Sequence, residues 1–378
     1  MTKGLFLQLL QVALGTRDSL DRALTAEEWE SMYEMAKVQA VVGLMNTAFA
    51  RLPKDQWPPR MMLFKWAPQA KHVEDAHTLH VEVLCEVHEA LKQEGIGHVF
   101  MKGLTCGARY PKPESRTCGD IDFLVSPDNF VRTMAVMDRI GRADHNSFHE
   151  QHGTAYVKSV TLEPHYKLHN FQSPANDRAM DAVVKECWPK DLRYVRVSDS
   201  GGKNVCTDVP VLPPECEGVF LLGHMVDHVY SEGLGLRQVI DFMTWATSCA
   251  TDTTFDKEKH LSYLKKVRME RPHRIFVRIC EKYLGMDTSI FGYDYSPKEM
   301  AFADKMMEDI LCVGNFGHGD REFHTDGWYG FLQNYLWVVR RAYNLAYLCP
   351  SEAYMWPVSK FTRYFDKKMH PGRYQVPQ

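Results

Sequence analysis

The chain has 378 residues, 45% of them hydrophobic, with a formal net charge of −3 and a pI near 6.6. That length and apolar content build more than one packed unit, and the near-neutral balance excludes bulk attraction to nucleic acid while leaving room for a local basic patch. No stretch approaches the roughly 18 uninterrupted apolar residues of a membrane span, and ten cysteines without one C-x-x-C pair exclude a zinc ribbon or thioredoxin motif and point to free thiols in a reducing cytoplasm.

In chain order, the opening stretch MTKGLFLQLLQVALGTRDSL carries a lysine, a short apolar run and no small-residue cleavage site. It reads as an amphipathic helix and not as a signal peptide. Thr25 and Glu28 make a capping-box pattern, after which Trp29, Met32, Tyr33, Ala36, Ala40 and Leu44 recur at helical spacing. Pro53, Pro58 and Pro59 break the chain, and a long helix resumes through Ala76, Leu79, Val83, Val87 and Leu91. The period then changes. Residues 98–101 and 120–125 read as short strands, and 155–168 as one long strand or a tight hairpin. Ser126-Pro127-Asp128 opens a helix, with Ser as N-cap and Pro at the first position, and Gly141 stops it. Segment 193–212 reads as a hairpin turning at Gly201-Gly202, and Pro213-Pro214 marks the next boundary. Helical patterns return from Glu215, and 359–378 reads as a weakly ordered basic tail. The organisation is α+β: a helical subdomain over 1–92, an α+β core with a small mixed sheet over 93–212, a second helical subdomain over 213–358, and the tail. There is no internal repeat and no low-complexity tract.

The chemistry concentrates in 101–126, MKGLTCGARYPKPESRTCGDIDFLVS. Alternate side chains of a strand share a face, so Asp120 and Asp122 project together while Ile121, Phe123 and Val125 point into a core. Two carboxylates that close raise each other's pKa unless a cation holds both ionised. The pattern therefore calls for a divalent metal with oxygen ligands, of the kind Mg²⁺ shares with a substrate phosphate. A solvated strand edge, the plainer alternative, does not account for the apolar residues around the pair or for Gly119 before it.

The ordered set Met101-Lys102-Gly103, Tyr110-Pro111, Arg116 and Gly119-Asp120-Ile121-Asp122-Phe123-Leu124-Val125 resembles the signature of the bacterial uncharacterised nucleotidyltransferase family, part of the DNA polymerase β-like superfamily. Leu162-Glu163-Pro164-His165-Tyr166-Lys167-Leu168, the helical run from Leu222 to Asp241 and Val313-Gly314-Asn315-Phe316-Gly317 are similar to it as well. The resemblance implies a nucleotidyltransferase-like core flanked by N- and C-terminal helical subdomains. It also implies transfer of a nucleoside monophosphate from an NTP such as ATP to an acceptor, with release of pyrophosphate. Mg²⁺ or Mn²⁺ would be held by Asp120, Asp122 and, as third carboxylate, Glu163. Lys102, Gly103, Arg116 and Gly119 would serve the phosphates, with Lys102-Gly103 standing where the superfamily has Gly-Ser. His165 would join the nucleotide site, and His228, Arg237 and Asp241 would face the cleft from the helical half. Read from the residues alone, Glu163 is the only acid between Ala155 and Leu168 and shares strand parity with His165 and Lys167, an unusual patch for a core. Pro164 cannot donate to a ladder, which makes this an edge strand or a strand end. The acceptor stays open among a small molecule, a peptide or protein, and a tRNA. The rival function is a catalytically degenerate module that binds nucleotide for regulation or interaction.

Other signals have plainer readings. His224 and His228 lie one helical turn apart, but His-Met-Val-Asp-His lacks the glutamate of H-E-x-x-H, so at least one is read as a hydrogen-bonded structural histidine. His149 and His152 also miss that spacing. Gly201-Gly202-Lys203-Asn204 lacks the upstream glycine and the hydroxyl of a P-loop. Methionines and aromatics along the C-terminal helices read as core.

Overall fold

The structure is a computed structural model that describes residues 2–148, 151–317 and 327–369. Helices α1 (Thr2–Leu14), α2 (Ala26–Val38) and α3 (Val42–Ala48) precede a long α4 (Arg60–Gln93). The capping box is formed as read: Thr25 Oγ1 accepts from the Glu28 amide at 3.3 Å, and the Glu28 carboxylate accepts from the Thr25 amide at 2.9 Å. Trp29, Met32, Tyr33 and Ala36 are the buried stripe of α2.

Seven strands follow: β1 (His98–Met101), β2 (Ile121–Val125), β3 (Arg142–Phe148), β4 (Gly153–Val157), β5 (Val160–His165), β6 (Arg193–Ser198) and β7 (Val205–Val211). Short α5 (Gly103–Gly107) joins β1 to β2, α6 (Phe130–Ile140) follows β2, and α7 (Pro174–Cys187) lies between β5 and β6. The strands make one mixed sheet in the order β3-β4-β5-β2-β1-β7-β6. β2 runs antiparallel to β1 and parallel to β5, while β1 runs parallel to β7. The C-terminal half is helical: α8 (Pro214–Ser231), α9 (Leu236–Thr251), α10 (Lys257–Lys266), α11 (Glu270–Ile279), α12 (Pro297–Val313), α13 (Gly327–Leu345) and α14 (Pro350–Met369). No helix among the described residues is long and apolar enough to cross a membrane.

Strand parity decides where the site falls. Phe100, Ile121, Phe123 and Val125 pack with Val83, Leu84 and Val87 of α4 and Phe130 and Met134 of α6. Val99, Met101 and Leu124, on the alternate parity, join the larger core with α8, α9 and the N-terminal helices. β2 is thus buried on both faces along its whole length. Asp122 belongs to the parity that meets the helical half.

Several expectations change in detail. β2 begins at Ile121, so Asp120 lies one residue before the strand. Residues 155–168 resolve into the β4–β5 hairpin, turned by Lys158, whose φ is +54°. β5 is not an edge strand, because it lies between β4 and β2; Pro164 falls beyond Leu162, where the β4 pairing ends, and so breaks no bond on that side. Ser126 caps no helix with its side chain; Pro127–Asn129 forms a 3₁₀ turn first, and the Ser126 hydroxyl accepts from the Asn129 amide group. The sheet is larger than expected, since the β6–β7 hairpin joins it through β1. The basic tail does not begin at 359, because α14 continues to Met369. The rest of the tail, and His149, lie outside the described residues.

Candidate active site

A cleft opens where β1 and β2 meet α8 and α9. Its lining includes every residue singled out from the sequence: Lys102, Gly103, Arg116, Gly119, Asp120, Asp122, Glu163, His165, His228, Arg237 and Asp241. Strand register accounts for the carboxylates. Asp122 pairs across the ladder with Glu163 on one side and with Met101 on the other, so Lys102 follows directly at the end of β1. The turn there is strained. Lys102 has φ +55° and ψ −149°, and Gly103 has φ +46°; a lysine held that way costs about 1–3 kcal/mol. Its carbonyl compensates locally, accepting from the Thr105 amide at 3.0 Å and the Thr105 hydroxyl at 2.8 Å. On the other strand, the Gly119 carbonyl, just before the aspartates, lies 2.7 Å from His80 Nε2 of α4.

Anionic charge exceeds what the cleft neutralises. Lys102 Nζ lies 2.9 Å from Asp122 Oδ1, and His165 Nε2 meets the same oxygen at 3.1 Å. Burial raises the Asp122 pKa, but Lys102 and His165 more than reverse this and hold its carboxyl well below the usual range. Burial lowers Lys102 and His165, and the facing carboxylates push both back up past their ordinary values. Asp120 makes no ion pair among the described residues, and Lys102 pulls on it only in part. The charge on Asp122, and then burial, push it up to about 6. Glu163 sits 3.7 Å from His165 Nε2 and 3.8 Å from His152 Nε2. One ligand atom each from Asp122, Glu163 and His165 falls within 4.8 Å of the others. This oxygen-rich donor set, with an unneutralised aspartate beside it, fits a hard divalent cation.

A second cluster is balanced. Arg116 Nε and one terminal nitrogen bind the two oxygens of Asp241 at 2.8 and 2.7 Å, its remaining nitrogen reaches the Thr117 carbonyl at 3.2 Å, and the Tyr110 hydroxyl donates to Asp241 at 2.8 Å. Three of the five N–H donors of Arg116, which lines the cleft, are thus engaged in a strut that ties the β1–β2 connection to α9. Arg237 is different. Among the described residues its side chain donates one hydrogen bond, to the Thr117 carbonyl at 3.2 Å, and makes no ion pair, and its buried Nε has no hydrogen-bond partner. Burial, and then Arg116, lower its pKa. It is the cation better placed to receive an anion.

His224 and His228 do meet, Nε2 to Nε2 at 3.1 Å, and burial keeps both neutral, His228 down to about 3. Residues the sequence did not single out also line the cleft: Gln151, Leu221, Met225 and Gln238. Gln151 sits on the loop before β4, where no periodicity marks it. Phe316 lies in a stretch already matched by resemblance, holds φ +55° and sets its ring 5.2 Å from that of His228.

The fold is α+β, with one seven-stranded mixed sheet whose central strands bring carboxylates to a cleft under a helical half. The chain belongs to the uncharacterised nucleotidyltransferase family, whose model matches residues 25–285. Among solved structures, it is similar to the solution structure of the antibiotic-resistance factor ANT(2'')-Ia, with 14% identity over 50% of this chain and 92% of that one and a TM-score of 0.36. It is also similar to the crystal structure of an antigenic nucleotidyltransferase-like protein from Paracoccidioides brasiliensis, with 12% identity over 59% of this chain and 98% of that one and a TM-score of 0.32. No curated protein matches the sequence.

Proposed function

We propose that the protein transfers a nucleoside monophosphate from an NTP to an acceptor in a reaction that depends on Mg²⁺ or Mn²⁺. The observation that carries this is the surplus of carboxylate in the cleft: Asp120, Asp122 and Glu163 against Lys102, which already stands on Asp122, and Arg237, which makes no ion pair among the described residues. Asp120, Asp122 and Glu163 would hold the metal, which supplies charge stabilisation at the triphosphate and at the attacking oxygen. Lys102 would reach a phosphate oxygen, with Arg237 as the second cation. The acceptor oxygen then attacks the α-phosphorus, the bond to the bridging oxygen breaks, and pyrophosphate leaves. Glu163 takes the proton when the acceptor is a hydroxyl. The Arg116–Asp241 strut keeps the helical half in place over the strands. A second reading, a nucleotide-sensing module without turnover, draws on one observation: Lys102 and His165 both occupy Asp122 Oδ1.

Incubation with NTPs labelled at the α-phosphate, in a cell extract that supplies the acceptor, separates the two. Transfer predicts a labelled product, and Glu163→Gln should bind NTP as well as wild type while slowing transfer by roughly 10²–10⁴-fold. Tight NTP binding with no labelled product, or an equally fast Glu163→Gln, would favour the sensing module.

A further inference from the structure

A second group of metal-ligating side chains lies on the α4 face of the sheet, beside the start of β1, whereas the cleft lies past the end of β1. Cys85 and His88 stand three residues apart on α4, and Cys206 and Asp208 lie side by side at the bulge of β7, where its register with β6 shifts. His88 Nε2 is 3.6 Å from Asp208 Oδ1, and Cys206 Sγ is 3.9 Å from the same oxygen. One ligand atom each from His88, Cys206 and Asp208 lies within 4.8 Å of the others. A tetrahedral zinc with Zn–S of about 2.3 Å and Zn–N or Zn–O of about 2.0 Å separates N from O by about 3.3 Å and S from O by about 3.5 Å. The observed distances exceed these by only a few tenths of an ångström. Cys85, one helical turn before His88, interacts with Cys206, and a rotation of its side chain would bring its sulfur to the three ligand atoms as a fourth donor.

The histidine tautomers point the same way. His98 Nδ1 is 2.8 Å from the Ile96 carbonyl, which can only accept, so that nitrogen carries the proton. With that proton on Nδ1, His98 is left to meet His88 Nδ1 through its other ring nitrogen, Nε2, at 2.9 Å. With His88 donating through Nδ1, a neutral His88 presents a bare lone pair at Nε2. That nitrogen is buried and has no hydrogen-bond partner. A metal-ligating histidine almost always donates its other ring nitrogen to a fixed acceptor. An unpartnered buried imidazole nitrogen facing a thiol and a carboxylate is otherwise hard to account for. Lys92 holds the second oxygen of Asp208 at 2.8 Å and leaves Oδ1 turned inward, and the Asp208 side chain is half exposed, which gives an ion a path from solvent.

We propose that His88, Cys206 and Asp208, with Cys85 as fourth donor, form a binding site for a zinc-class cation that clips α4 to β7, with His98 as a positioning residue. Nitrogen and thiolate donors select zinc over magnesium, and binding releases the thiol protons to solvent. The site shares no residue with the cleft.

Cobalt titration of the reduced, chelator-treated full-length chain tests the assignment. The first equivalent of Co²⁺ should produce a thiolate-to-cobalt band in the near ultraviolet and the intense visible bands of tetrahedral cobalt, and Zn²⁺ should bleach both. Cobalt in the oxygen-lined cleft gives no sulfur band, so the two sites report separately. Cys206→Ser should lose the sulfur band, and His98→Phe should weaken Co²⁺ binding by roughly 10–100-fold. Asp208→Asn changes a half-exposed side chain, keeps the fold, and should weaken cobalt binding even where the cysteine variant fails to fold. Absence of a sulfur band in the reduced wild type, or a band undiminished in both Cys206→Ser and Asp208→Asn, would overturn the site. So would a chelated chain that binds no cobalt and instead forms a Cys85–Cys206 disulfide in air.

Discussion

Two buried charge clusters share the cleft, and they differ in balance. Around Asp241, one carboxylate meets one guanidinium through two hydrogen bonds, and Tyr110 adds a third. Around Asp122, one lysine and one histidine face an aspartate that has Asp120 and Glu163 as neighbours. A matched, hydrogen-bonded cluster is a strut, and its removal is felt as instability. An unmatched one lowers stability until a cation arrives, which is the usual signature of a site kept for function. In the sequence Asp120, Asp122 and Glu163 were expected as one metal set, while Arg116 and Asp241 were separate expectations, and it is the geometry that separates scaffold from chemistry.

The largest effect that would break this distinction is on transfer. Asp122→Asn should remove metal-dependent stabilisation by NTP and reduce label transfer below detection, because both the lysine and the metal lose their shared anchor. Normal transfer by this variant would place the chemistry elsewhere. Next comes the strut. Arg116→Ala leaves Asp241 buried and charged, and should cost about 3–5 kcal/mol in urea unfolding with an unchanged slope, whether or not Mg²⁺ is present. Arg116→Met combined with Asp241→Leu should cost clearly less. A cost that appears only with metal and nucleotide bound would mean that Arg116 belongs to the site and not to the scaffold.

A smaller and opposite effect is expected at Asp120. Its carboxyl stands at about 6 in the folded chain, against about 3.9 for an unperturbed aspartate. Between those values the folded chain keeps a proton that the unfolded chain has released. The Asp120 contribution to the stability of the metal-free protein therefore falls as pH rises from about 4 to about 6 and levels off above that, against the opposite trend set by the buried neutral histidines His98, His169, His228 and His260. Asp120→Asn should abolish this decline and stabilise the metal-free protein at pH 7 by about 1–3 kcal/mol, while removing the metal response. A destabilised Asp120→Asn at pH 7 would mean that Asp120 is neutralised by a partner and that the cleft carries no surplus charge.

The parts of the fold legible in sequence are those written in local patterns. The capping box at Thr25, the glycine turn at 201–202 and the alternation around Asp122 each depend on residues within a few positions of one another. What stayed hidden depends on partners far apart in the chain. Nothing near Arg116 says that its guanidinium is claimed by Asp241, 125 residues later, and nothing near His88 announces Cys206 or Asp208. Pro164 told half the story: it does mark a strand end, since β5 stops at His165, but not an edge, because β4 and β2 flank that strand and only the fold shows them there. The end of α14 was misread because its basic residues resemble a tail, although they continue a helix.

The most direct test of the central claim is a crystal structure with Mn²⁺ and a nonhydrolysable NTP, read by anomalous scattering at the manganese edge. The account predicts manganese bound to carboxylate oxygens of Asp120 and Asp122, with Glu163 at the same centre or at a second one beside it, and Lys102 moved from Asp122 to a phosphate. A triphosphate seated in the cleft with Lys102 still on Asp122 and no manganese at the carboxylates would contradict it.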